Sequence, residues 1–425
     1  MPQNFVAELR WRGMVQDLMP ETEAYLMAHI TPGYVGFDPT ADSLHIGNLV
    51  PIMLLSHYQR AGHKPIALIG GATGMIGDPS GKSKERNLLS EEALRHNVAA
   101  IRRQLEKFLV FDQSPTGAEL VNNYDWYQDF KLLDFLRQVG KHLTVNYMMA
   151  KDSVKNRMGE GSEGISFTEF SYQLFQGYDF YYLYQQHQCR LQMGGSDQWG
   201  NITTGTELIR RMAGGSALAL TCPLLTKSNG EKFGKSEAGN VWLDAAKTSP
   251  YKFYQFWLNV SDEDLPRLLR FFTLFDQEQI AELEARQNPV AVKKILAQDI
   301  STRVHSAEAA QKAASASDLL FGKASLEDFE ATDEATLAEV FEGVPQKVYT
   351  RAQYKEIGST VDLLAETTES SKGEIRRMIK NNGISINQEK LSPEKAEKVP
   401  DFSLLKAQYL LAKKGKQFFL VKIEA

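Results

Sequence analysis

The chain has 425 residues, 43% hydrophobic and 24% charged; these ordinary globular values exclude a fibre or a disordered chain and allow two or three domains. Two cysteines, Cys189 and Cys222, are too few for a disulfide framework or a cysteine-rich zinc site. The net charge of −5 is uneven, because residues 351–425 carry 14 Lys+Arg against 10 Asp+Glu, a net +4 that leaves −9 on the remainder. A basic tail on an acidic body suggests a polyanion held locally.

The opening Met-Pro-Gln-Asn-Phe-Val-Ala-Glu lacks the basic-then-apolar pattern of a signal peptide. The longest apolar run, near Leu49 to Leu55, is too short to cross a bilayer. Both point to the cytoplasm, with no membrane partner. Residues 5–29 read as one amphipathic helix, with Leu9, Met14, Leu18 and Leu26 among its apolar positions. Tyr34 to Phe37 reads as a buried strand that must break at Asp38-Pro39. From His45 onward Ile46, Leu49, Ile52, Met53 and Leu55 recur at helical spacing. Strand, loop, helix is the order that points a helix's unpaired N–H groups and dipole at the loop, a ready phosphate site.

Pro65 to Gly70 reads as the next strand, which makes a parallel βαβ unit, and a Gly-rich run follows to Pro79. Leu89 to Phe111 reads as helix and Leu120 to Asn123 as a third strand. Residues from about 125 to 165 interrupt the alternation with short helical pieces such as Lys131 to Val139. Phe167 to Gln185 is a long aromatic helix, followed by a strand at Cys189 to Met193, a helix at Asp197 to Met212 and a strand at Ala217 to Thr221. From Ser249 to about Phe321 the pattern is helical, and residues 326–350 read as a connector. In the tail, Val361 to Thr367 and Ser371 to Asn381 read as helices, while Ile384 to Glu389 and Gln417 to Ile423 alternate like strands.

Two motifs carry most of the information. His45-Ile-Gly-Asn48 sits at the helix start, and Lys232-Phe-Gly-Lys-Ser236 lies nearly two hundred residues later in a Gly-rich polar loop, 227–239. Alone, the first is more often a helix start with a satisfied core histidine. Together they resemble the paired His-Ile-Gly-His and Lys-Met-Ser-Lys-Ser signatures of class I aminoacyl-tRNA synthetases, and the flanking words resemble the bacterial tyrosyl branch over essentially the whole chain. Asn48 stands where the signature has its second histidine; it can donate a hydrogen bond but cannot become cationic. Phe233-Gly234 replaces Met-Ser.

The resemblance implies an α/β fold: a Rossmann-like catalytic domain over 1–245, split by the 125–165 insertion that forms much of a homodimer interface. An α-helical anticodon-side domain over 246–325, the 326–350 connector and a small α+β RNA-binding module over 351–425 would follow. It implies a tyrosine–tRNA ligase, with L-tyrosine, ATP and tRNA(Tyr) as partners and Mg²⁺ carried on the ATP phosphates, no metal being held by the protein.

Site residues follow position by position. Tyr172, Gln176 and Asp179, spaced four and three, share one face of the aromatic helix. Unaided, they read either as a polar stripe or as a ligand face. The resemblance gives Tyr172, Gln176 and Asp78 to the tyrosine ammonium group, Tyr34 and Asp179 to its hydroxyl, and Gln198 to its carboxylate. Asp197 would bind the ribose, while Gly36, Asp38, Thr40 and Gln192 line the same pocket and Gly47 lets the nucleotide approach. His45, Asn48, Lys82, Arg86, Lys232, Lys235 and Ser236 would face the phosphates, cations suiting a leaving group that gathers negative charge. In the tail, Lys372, Arg376, Arg377 and Lys380 would present a basic helix face to RNA. The alternatives are a tryptophan-specific relative, another nucleotidyltransferase, and an RNA-binding protein on a retired synthetase scaffold.

Overall fold

The structure is a computed structural model that describes residues 3–80, 90–158, 164–228, 230, 233–236, 239–320, 326–415 and 417–424. The chain divides into two compact units, Met1–Ser249 with Phe256–His305, and Pro250–Gln255 with Ser306–Ala425.

In the first unit six strands form one sheet: β1 (Asp17–Leu18), β2 (Pro32–Phe37), β3 (Lys64–Ile69), β4 (Glu119–Asn122), β5 (Leu191–Gly195) and β6 (Leu218–Cys222). Their order is β1-β6-β5-β2-β3-β4. All pairings are parallel except β1 with β6. Parallel strands need both faces covered, and their near-continuous apolar runs, such as Ile66 to Ile69, reflect that. Successive strands run outward from β2 through β3 to β4, and from β5 to β6 on the other side. The order therefore reverses between β2 and β5, and loops leaving those strands diverge to open a crevice.

The helix Ile46–Arg60 buries Ile46, Leu49, Ile52, Met53 and Leu55, the spacing read from the sequence. The aromatic helix spans Phe167–Gln186. Four short helices between Tyr124 and Met158 fill the insertion. The single helix expected over 5–29 is instead two, Phe5–Arg12 and Thr22–Ala28, flanking β1. Gly13 ends the first in a left-handed conformation, φ 75°, and Pro20 then blocks helical continuation.

In the second unit β9 (Gln346–Thr350), β10 (Ile384–Ile386), β11 (Glu389–Lys390), β12 (Tyr409–Lys414) and β13 (Gln417–Glu424) form a sheet of order β11-β10-β12-β13-β9. Leu410, Ala412 and Val421 pack with Val361, Leu364, Ile375 and Ile379 of the helices Thr360–Thr367 and Lys372–Lys380. The alternate residues Leu411 and Leu420 pack with Leu319, Phe329, Leu337 and Val340. The pleat thus divides one sheet between two cores. Residues 326–350, expected as a connector, are built into this fold: two helices, Leu326–Ala331 and Glu334–Val340, and β9, which pairs in parallel with β13. The helical region is shared between the units, residues 256–305 grouping with the first and 306–320 with the second. Among the described residues no helix is long and apolar enough to cross a membrane.

Candidate active site

A cavity of about 800 Å³ opens at the carboxyl ends of β2 and β5, where the strand order reverses. Its lining includes Tyr34, Gly36, Asp38, Thr40, His45, Gly47, Asn48, Asp78, Tyr172, Gln176, Asp179, Gln192, Asp197 and Gln198. One cavity therefore collects strand ends, two loops, a helix start and the polar face of the aromatic helix.

At one end the side chains are closed in. Asp179 is 2% exposed, and its two carboxylate oxygens accept from Asn123 Nδ2 and Trp126 Nε1, each at 3.0 Å. Burial pushes its carboxyl up to about 7, against the pull of those two donors. Tyr34 Oη is buried without a hydrogen-bond partner among the described residues. Its phenol is raised well above the usual range by burial and by the neighbouring Asp179 charge. Such an unpaired hydroxyl costs free energy until a ligand supplies a partner. Gln192 Oε1, on β5, is buried in the same unpaired condition.

Beside this lies a second carboxylate group. Asp38 accepts from Tyr172 Oη at 2.8 Å and from Thr73 Oγ1 at 2.9 Å. Tyr172 gives its proton to that bond, so its oxygen faces the cavity as an acceptor. Asp78 accepts from Gln198 Nε2 at 2.7 Å and from the Ser80 N–H at 3.0 Å, and burial raises its carboxyl. Asn201 Nδ2 bridges to Gln176 Oε1 at 3.0 Å. Carboxylates with acceptor oxygens between them suit a cationic group.

The start of the Ile46–Arg60 helix corrects one expectation. Its first N–H groups are engaged inside the protein: Ile46 N–H on the Val241 carbonyl (2.9 Å), Gly47 N–H on His45 Nδ1 (3.0 Å) and Asn48 N–H on the His45 carbonyl (2.8 Å). His45 is the N-cap, and Asn48 Oδ1 accepts the His45 N–H at 3.0 Å to complete a capping box. With Nδ1 as acceptor, neutral His45 carries its proton on Nε2. Asn48, its oxygen engaged, keeps its amide N–H₂ as the donor end. Any contact with an anion here therefore comes from side chains, helped by the helix dipole.

The two motifs meet in space. Past the lysine loop, which carries β7 (Lys235–Ser236) and β8 (Gly239–Asn240), Val241 and Leu243 bond to Ile46 and Leu44. The His45 and Trp242 rings pack edge to face at 6.0 Å.

Comparison with known proteins decides the family. The model for class I tRNA synthetases (W and Y) matches residues 31–322, and the SYY-like C-terminal domain of tyrosine–tRNA ligases matches 336–421. A tyrosine–tRNA ligase of Porphyromonas gingivalis is 59% identical, covering 99% of this chain and all of that one. The chain belongs to the tyrosine–tRNA ligases of class I. A second member, from Cytophaga hutchinsonii, is 58% identical over 99% of both chains. The C-terminally truncated mitochondrial tyrosyl-tRNA synthetase of Aspergillus nidulans superposes with a TM-score of 0.66 at 30% identity, over 73% of this chain and 92% of that one.

Lys82, Arg86 and Lys232, expected at this cavity, lie outside the described residues, as do the side chains of Lys235 and Ser236. Lys372, Arg376, Arg377 and Lys380 lie in the second unit, exposed on the helix Lys372–Lys380. Two of them are engaged within the protein, Lys372 with Asp362 at 2.6 Å and Arg376 with Glu397 through two bonds at 2.6 and 3.0 Å. Sequence reasoning passed over Asn123, Trp126, Thr73 and Asn201, which hold Asp179, Asp38 and Gln176. The only signals for them were Asn123 at the end of β4 and the Asn that closes the stretch Gly194-Gly-Ser-Asp-Gln-Trp-Gly-Asn201.

Proposed function

We propose that this chain is a cytoplasmic tyrosine–tRNA ligase that works as a homodimer. The substrate carboxylate attacks the α-phosphorus of ATP, giving tyrosyl-adenylate and pyrophosphate, and a ribose hydroxyl of the terminal adenosine of tRNA(Tyr) then takes the tyrosyl group as AMP leaves. One observation carries the choice of substrate: the unpaired Tyr34 hydroxyl lies at the same buried cavity end as Asp179. A phenolic hydroxyl satisfies both, donating to the carboxylate and accepting from Tyr34. Phenylalanine leaves the buried Tyr34 hydroxyl unpaired and offers Asp179 no donor beyond Asn123 and Trp126.

In this reading Tyr172, Gln176 and Asp78 hold the ammonium group, and Gln198 and Gln192 lie beside the carboxylate. Asp197, Asp38, Thr40, Gly36 and Gly47 line the nucleotide, with His45 Nε2 and the Asn48 amide as donors toward the phosphates. Lys82, Arg86, Lys232, Lys235 and Ser236 supply the charge and donors that stabilise departing pyrophosphate. Mg²⁺ travels on the ATP phosphates; among the described residues no cluster of three or more His, Cys, Asp or Glu is set to hold a metal. Support for the dimer comes from the insertion, which exposes Leu132 (71%) and Leu133 (72%), and from Phe167 (78%) at the start of the aromatic helix that follows it, too much apolar surface to leave in water. The basic helix around Arg377 and Lys380 would take the tRNA.

The test is ATP–pyrophosphate exchange with each amino acid in turn. Exchange with L-tyrosine, and essentially none with phenylalanine or tryptophan, is the expected result. Equal exchange with phenylalanine would remove the assigned roles of Tyr34 and Asp179.

A further inference from the structure

The helix Leu265–Phe272 touches the lysine loop at both its base and its middle. Asp264, the buried residue that precedes this helix, accepts from the Ser228 N–H at 3.2 Å and from Ser228 Oγ at 3.4 Å. Ser261 Oγ and Arg267 hold the same carboxylate at 2.8 Å each. Arg267 also donates to the Thr226 carbonyl. Further along, Phe233 is buried against Phe272, the rings stacked at 5.7 Å and 21°. Phe256 and Trp257 close the socket at 5.4 and 5.7 Å.

On its other side the loop rests on the His45 motif. Gly234 has φ +92°, and a Cβ there would stand 3.1 Å from the Gly47 nitrogen. Glycine is needed at 234 on both counts. The Phe233 N–H bonds to the Leu225 carbonyl at 3.2 Å, and the Val241 N–H to the Gly234 carbonyl at 3.3 Å.

The far end of the Leu265–Phe272 helix is tied back to the same place. Arg12 donates to the carbonyls of Arg270, Thr273 and Phe275, Arg303 to that of Phe272, and Arg60 to that of Leu274 at 2.9 Å. Guanidinium groups at a helix's carbonyl end are favoured by its dipole. Arg60 is the last residue of the helix that begins at Ile46. A closed circuit results: His-motif helix, Arg60, Leu265–Phe272 helix, lysine loop, and back to Gly47.

We propose that Asp264, Arg267 and Phe233 are positioning residues, which fix the lysine loop against the first turn of the Ile46–Arg60 helix and so set the rate of adenylate formation. The proposal rests on the reading of the cavity as an ATP site. None of the three lies against the Tyr34–Asp179 end, so tyrosine affinity is independent of them.

Asp264→Ala and Phe233→Ala in the full chain are the test. Each slows pyrophosphate exchange at saturating tyrosine by about ten- to a hundredfold, the usual cost of misplacing a reacting group by an ångström. The tyrosine dissociation constant stays at its native value. Asp264→Asn, still able to accept the Ser228 N–H, and Phe233→Met, which refills the aromatic socket, recover most of the rate. Hydrogen exchange at the Phe233 amide is the readout that needs no activity: its protection drops in Asp264→Ala. The proposal is overturned by native rates in both alanine variants. It is equally overturned by rate and tyrosine affinity falling together while the Phe233 amide stays protected. If the native chain shows no exchange with ATP, the ATP reading fails, and the amide arm still decides whether Asp264 holds the loop.

Discussion

The two ends of the cavity are built differently. At the closed end Asp179 sits on the aromatic helix, Asn123 just past β4 and Trp126 on the short helix that follows it, and the hydrogen bonds among them are complete before any ligand arrives. Among the described residues of that end, Tyr34 Oη and Gln192 Oε1 are left waiting. At the other end the helix start has turned its own N–H groups inward, and in the proposed reading the chemistry facing the phosphates falls to side chains and to the lysine loop. The contrast teaches a division of labour. In the proposed reading, selection belongs to rigid secondary structure, where a missing substrate hydroxyl leaves the buried Tyr34 hydroxyl unpaired. Rate belongs to loops, whose charges matter only as charge develops.

Three changes would sharpen or break that division. Lys235→Ala has the largest expected effect: adenylate formation slows by about a hundred- to a thousandfold while tyrosine affinity holds, as for loss of one group aimed at a developing charge. Stopped-flow measurement of the first turnover, set beside equilibrium tyrosine binding, checks it. A fall in tyrosine affinity would make Lys235 part of the selecting end.

The doubly reversed Arg377→Glu, Lys380→Glu chain is next. Charging of tRNA falls while pyrophosphate exchange keeps its native rate, because neither residue belongs to the unit that holds the cavity. The log–log salt dependence of tRNA binding becomes shallower by roughly 0.7–0.9 for each phosphate that the protein no longer neutralises. Loss of exchange as well would show that the second unit supports the cavity.

The smallest effect concerns pH. The carboxyl of Asp179 lies near 7 when folded, above its unfolded value, so the folded chain holds the extra proton between about 4 and 7. Its contribution is fully present below the unfolded value and is lost as pH rises through the folded one. Asp179→Asn removes this dependence, so the variant gains on the native chain by at most about 1.4 kcal/mol per pH unit across that window. Urea midpoints at pH 5 and pH 8 measure it; a gap that does not change with pH would mean Asp179 is ionised throughout.

Periodicity made much of this legible. The apolar spacing after His45 and the four-and-three spacing of Tyr172, Gln176 and Asp179 both reappear as a buried helix face and a cavity wall. What sequence could not give lies across long separations. Asn123 and Trp126 reach Asp179 over more than fifty residues, and a single polar residue after a strand has no period. β12 escaped because Leu410, Leu411 and Ala412 are buried on alternate faces of a sheet covered on both sides, which erases alternation. β9 escaped for the opposite reason: only Tyr349 of its five residues is buried. The capping box at His45 was hidden because histidine is not among the usual cap residues.

The discrimination ratio tests the division most directly. Measure kcat/KM for pyrophosphate exchange with tyrosine and with phenylalanine in the native chain, in Lys235→Ala and in Asp179→Asn. Lys235→Ala should lower both values and keep their ratio, whereas Asp179→Asn should collapse the ratio while leaving exchange with phenylalanine near its native level. A preserved ratio in Asp179→Asn, or a collapsed one in Lys235→Ala, would contradict the account.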